Sequence, residues 1–161
     1  MAITTQNSTQ HAKVVATPQV KLETDEYHGR LRALIFNFVQ SGVGDAGSLI
    51  RIGQLPSGRV RLILPLCFIA FEALGSSRTM DMGWEAYTDD NGDAVVADPN
   101  GLDDGVDVSS AGTVIPAGTL GGNETKLFAS RGAGPIITLQ INDAALADTD
   151  ALDGILTYVV D

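Results

Sequence analysis

Apolar and polar positions along this chain fall into a period of two from Arg30 onward, the pattern of β-strands rather than helices. The stretch 30–39, Arg-Leu-Arg-Ala-Leu-Ile-Phe-Asn-Phe-Val, is rich in branched and aromatic side chains, and the glycine-rich loop 41–47 closes it. Residues 48–55 read as a second strand and Pro56-Ser57-Gly58 as a turn. Residues 59–74 read as a long strand region broken near Pro65. From Arg78 to Tyr87 the alternation puts Met80, Met82 and Trp84 on a core face and Thr79, Asp81 and Glu85 on a solvent face. Residues 88–122 turn to Asp, Gly, Asn and Ser. They predict loops with short edge strands around 93–96, 106–108 and 113–115. Strands follow at 126–130 and 135–141, the latter with Ile137, Leu139 and Ile141 on one face, and the last strand is 155–160. Residues 144–152 have room for one or two helical turns; no longer helical period occurs.

Seven to ten short strands separated by Gly, Pro and Asp turns predict an all-β fold, a two-sheet antiparallel sandwich with the jelly roll as leading topology. The domain is expected over residues 30–161. Residues 1–29 differ: the first ten are polar, and up to Gly29 short apolar pairs alternate with single charges. This reads as an extended N-terminal arm that orders against a neighbour, or as a frayed terminus with one edge strand.

Two strand segments are apolar on both faces. In 30–39, Ala33, Ile35 and Val39 point one way and Leu34, Phe36 and Phe38 the other; in 62–71 both alternating sets are apolar. A sandwich strand buries only its inner face against the opposite sheet, so the second face needs a cover: the 88–122 region, the arm or another subunit. The candidate partner-binding residues are Val14, Val15, Val20 and Leu22 of the arm with Leu34, Phe36 and Phe38.

Composition narrows the function classes. With 161 residues, 44% hydrophobic and 19% charged, the chain has the apolar mass for one core and too little charge for disorder. The net charge of −10 is uneven: residues 31–80 carry five basic and two acidic side chains, and residues 81–161 carry two basic and fifteen acidic. The acidic half repels a phosphate backbone, which argues against nucleic-acid binding and for a solvated acidic surface. The apolar run 62–71 is about half the length needed to cross a bilayer and contains Pro65, so no membrane partner is expected. The first ten residues lack the basic and apolar regions of an export signal.

Candidate chemistry is sparse. Cys67 is the one cysteine and sits in an apolar run, the setting of a buried, unreactive thiol. His11 and His28 lie seventeen residues apart in the arm, so they cannot share a strand face as a zinc or iron pair would. There is no Gly-x-Ser-x-Gly elbow, P-loop or dinucleotide fingerprint. The acidic stretches 89–93 and 98–104 are inexact as calcium loops, lacking the glycine position and the closing Glu. Asp103 and Asp104 have no aromatic platform for glycoside chemistry beside the inward-facing Trp84. No enzymatic activity, catalytic residue, metal or cofactor is expected.

Residues 43–63, Val-Gly-Asp-Ala-Gly-Ser-Leu-Ile-Arg-Ile-Gly-Gln-Leu-Pro-Ser-Gly-Arg-Val-Arg-Leu-Ile, resemble small structural proteins of tailed bacteriophages. Those share a loop, strand, Leu-Pro-x-Gly and strand core. Asp81-Met82-Gly83, the Asp-rich stretch 88–104 and the closing hairpin 135–160 extend the resemblance over about residues 30–160. It implies a head decoration or cement protein of the virion, a jelly roll forming homotrimers on the capsid surface after synthesis in the host cytoplasm. The arm would thread against neighbouring subunits or the major capsid protein, and there would be no active site. The competing reading is a lectin-like glycan-binding sandwich, or a head-fibre or tail component, using the acidic 88–122 loops.

Overall fold

The computed structural model describes residues 16–18, 30–47, 49–116 and 125–160. Twelve strands and one short 3₁₀ turn are seen among them: β1 Leu31–Val39, β2 Leu49–Gln54, β3 Gly58–Ile63, the turn Leu64–Leu66, β4 Phe68–Phe71, β5 Thr79–Trp84, β6 Tyr87–Thr88, β7 Ala94–Val95, β8 Asp98–Asp107, β9 Gly112–Val114, β10 Thr125–Ser130, β11 Ile136–Asn142 and β12 Ala151–Val160. The expected arm, apart from residues 16–18, lies outside the described residues.

The strands form two antiparallel sheets and a small β6–β7 hairpin. In the first sheet β12 is central. It pairs with β1 along one side, and with β3 and then β4 along the other. β10 and β9 in turn pair with β3 and β4. β3 and β4 are thus one strand course broken by the 3₁₀ turn at Pro65, as the sequence predicts, and β9 and β10 mirror that break. The second sheet has the order β2-β11-β5-β8. Counting each broken course as one strand, the sheets are four strands each and the chain passes between them in jelly-roll order.

The sheets enclose one core. Leu62, Leu64, Ile69, Leu152 and Leu156 of the first meet Met80, Met82, Leu102, Ile137 and Leu139 of the second, all essentially inaccessible. Trp84 closes one end edge-on to Phe128, at 5.5 Å between ring centres, with the Lys126 ammonium 4.3 Å from the indole centroid.

Three stretches differ from the sequence reading. Residues 98–105, read as loop because of three Asp and two Gly, join the short edge strand expected from 106 in one ten-residue strand, 98–107. Pairing with β5 and the buried anchor Leu102 hold it there, while two register shifts absorb its poor β-formers. β12 begins at Ala151, four residues earlier than expected, because Asp153-Gly154 is strand and not turn. Residues 143–150 form turns without a helix. On β5 the expected core face is buried, but Asp81 on the opposite face is buried too. Its carboxylate accepts the Gly105 N–H at 2.8 Å and the Asn142 amide at 2.6 Å.

Candidate interaction surface

β1 pairs with β12 over nine unbroken residue pairs, Leu31 with Val159 through Val39 with Ala151. Among the described residues no strand pairs with its other side, which makes β1 an edge strand. Its alternation sends Leu34, Phe36 and Phe38 inward. Phe36 is 8% exposed and sits in the core, and Leu34 and Phe38 pack against it. Leu34 reaches the second sheet at Gly53, where an added Cβ would stand 2.6 Å from Leu34 Cδ2. The other set points out: Leu31, Ile35 and Val39 are 61%, 77% and 53% exposed.

Leu34, Phe36 and Phe38, the three β1 residues expected to meet a partner, are therefore engaged by this chain's own core. The exposed large apolar residues of β1 are Leu31, Ile35 and Val39. Which of two apolar faces turns inward depends on the register with β12, and side-chain periodicity alone does not give that register. Val14, Val15, Val20 and Leu22 lie outside the described residues.

The outward face continues across the sheet. Ile35 is opposite Ile155, and Ile155 is opposite Phe68 on β4. Leu66, half exposed on the 3₁₀ turn, accepts a 2.7 Å hydrogen bond from the Thr157 hydroxyl at its carbonyl and so borders the same face. The outer face is thus apolar around Ile35, Ile155 and Phe68 and is interrupted on the same rows by the register pair Asn37 and Asp153 and by Thr157. The second two-sided segment adds only part of it. Leu62, Leu64, Cys67, Ile69 and Phe71 are buried, and Ile63, Phe68 and Ala70 half-buried, because this course runs inside the sheet.

The remaining candidate chemistry is accounted for locally. Cys67 is buried, its sulfur accepting the Thr157 N–H at 3.2 Å and lying 3.3 Å from the Ile63 carbonyl. Burial pushes its pKa up to about 11, against the lowering effect of the Thr157 hydrogen bond, so the thiol stays protonated at neutral pH. In the acidic turn, Asp89 Oδ1 accepts the backbone N–H groups of Asn91 and Asp93 at 3.0 and 2.8 Å, an Asx turn that explains the Asp-Asn-Gly spacing. The other acidic stretch, 98–104, belongs to β8. Among the described residues no group of three His, Cys, Asp or Glu side chains could hold a metal ion. His11 and His28 lie outside them. An open groove of about 440 Å³ runs past Phe38, Leu49 and Ile50 to the exposed Arg51–Glu85 ion pair. No described helix is long and apolar enough to cross a membrane.

No protein-family model matches the chain, and no curated protein matches it. Among solved structures, a chain of the cyanophage Pam1 capsid asymmetric unit superposes with a TM-score of 0.54 at 12% identity, over 83% of this chain and 86% of that chain. A chain of infectious bursal disease virus, Gt strain, gives 0.45 at 10% identity, over 83% of this chain and 33% of that one. A chain of the extra small virus particle of the prawn Macrobrachium rosenbergii gives 0.32 at 14% identity, over 100% and 96%. The Pam1 likeness is one of fold, and it extends over most of both chains.

Proposed function

We propose that this chain is a non-enzymatic structural component of a bacteriophage virion, a decoration or cement protein at the capsid surface that stabilises the head by bridging capsid subunits. The observation that carries this reading is the outward row of β1, with Leu31, Ile35 and Val39 exposed on a regular edge strand. A solvent-facing sheet surface of this kind is an aggregation hazard in a solitary molecule and a contact in an assembled one. The fold shared with a chain of the Pam1 capsid supports the location.

In this reading the outer face lies on the major capsid protein, copies of the chain associate as homotrimers, and residues 1–29 act as an arm ordered on a neighbour. A specific contact of ordinary size covers about 800 Å² on each partner, which such a sheet face together with an arm can supply. The test is co-sedimentation of the purified chain with shells that lack it, followed by heating. Saturable binding and a raised disruption temperature are expected. Failure to bind shells of any maturation state would overturn the reading.

A further inference from the structure

The two lateral sides of the sandwich are unlike. On one side lie the edge strands β1 and β2, and on the other β8 with β9 and β10. The β1 side carries Arg30 and Arg32, both exposed, and β1 itself has no acidic residue. Arg32 is opposite the inward-facing Tyr158 and yet is exposed, so its side chain leaves along the edge. The nearby Arg51 is already engaged by Glu85. On the far side, β8 has four Asp and no Lys or Arg. Asp104 and Asp107 are exposed and Asp98 half-buried.

Each side also has apolar surface beside its charges. Leu31 lies between Arg30 and Arg32 with Ile35 three residues beyond Arg32, while on the acidic side the exposed Ile115 follows β9; the exposed Val96 is at the opposite end of β8 from Asp104 and Asp107.

From this complementarity we infer that copies of this chain associate head to tail, the Arg30/Arg32 edge of β1 in one copy against the Asp104/Asp107 edge of β8 in the next. Such a contact joins two different patches, so repetition closes a ring when the rotation between copies allows it. Opposite charge sets the register and rejects the like-sided alternatives, and the apolar residues supply the buried area. A two-fold pairing of β1 with β1 would leave the acidic edge without a role. Pairing of backbone along β8 is disfavoured by its two register shifts, so side chains rather than a continuous ladder form the contact. The inference rests on the self-association in the reading above and not on its capsid location.

The test measures the oligomeric state of the full chain alone, by light scattering and sedimentation up to millimolar protein, at low and high salt. Wild type is expected to form a closed oligomer that weakens as salt rises. Arg30→Asp/Arg32→Asp and Asp104→Lys/Asp107→Lys are each expected to weaken association about tenfold or more. The second change makes the chain less negative, so relief of net repulsion alone would strengthen association instead. The four-fold swap keeps the net charge at −10 and is expected to restore the oligomer. An oligomer indifferent to the Asp104/Asp107 change, or a swap as weak as its parents, would overturn the head-to-tail contact and leave the capsid role standing. A strictly monomeric wild type would overturn this contact together with the homotrimer.

Discussion

The ring of Phe36 lies across Gly154, its register partner on β12, so closely that a Cβ on Gly154 would stand 2.8 Å from Phe36 Cζ. That Cβ would also meet the Phe68 carbonyl on the other side of β12. The glycine is the space into which β1 presses its aromatic side chain, and the ring shields β12 backbone that Gly154 leaves bare. Phe36→Ala is expected to cost about 3 kcal/mol by opening a cavity, and Phe36→Leu distinctly less. Gly154→Ala is expected to destabilise as well, because neither the ring nor the carbonyl can withdraw freely. Urea unfolding of the three variants measures this.

Ile35 is the complementary case. It is the most exposed of the large apolar residues in the β1 outer row and is not part of the core cluster. Ile35→Thr keeps β-propensity and is expected to change folding stability by no more than about 0.5 kcal/mol. Its binding to shells should nevertheless fall clearly below that of wild type. Thermal unfolding and co-sedimentation of the same preparation separate the two effects.

The start of β12 is pinned by Asp150. One carboxylate oxygen accepts both the Arg78 guanidinium at 3.0 Å and the Ala147 N–H at 2.7 Å, with both charged side chains largely buried. The Asp150 carbonyl also accepts the Gln40 N–H, tying the end of β1 to this turn. Asp150→Ala strands Arg78 and is expected to cost about 2 kcal/mol, with Asp150→Asn intermediate because it retains an acceptor. Faster amide exchange at Ala147 and Gln40 would report the loosened turn.

The buried thiol makes stability fall at alkaline pH. Below pH 9, Cys67 is protonated in both the folded and the unfolded chain; between about 9 and 11 only the unfolded chain releases the proton. Over that window stability is expected to decline by up to about 1.4 kcal/mol per pH unit, and above it the thiol adds no further loss. Tyr87, raised by burial and then by Asp89 and Asp90, adds to the same decline. Comparing the slopes of wild type and Cys67→Ala in urea titrations therefore isolates the thiol, and the variant should be shallower.

Most strand positions are legible from alternation, from β1 through the Pro65 break to β11, because local period and burial agree there. β8 and the start of β12 are not. Asp98-Pro99-Asn100-Gly101 and Asp153-Gly154 have the composition of turns, and only pairing with β5 and the Phe36 ring over Gly154 makes them strand. The surface was half legible. That β1 has one apolar face to spare follows from its sequence, whereas the identity of that face depends on the β12 register. The charge opposition between β1 and β8 is equally a product of topology: the two strands are far apart in the chain, and only the sheet order sets them on opposite edges.

Quantitative mass spectrometry of purified phage particles tests the central claim most directly. A structural role predicts this chain in a fixed, high copy number per particle, with amide exchange across 31–39 slowed relative to the free protein. Particles that are complete and infectious without it, or that carry it only in traces, would contradict the account.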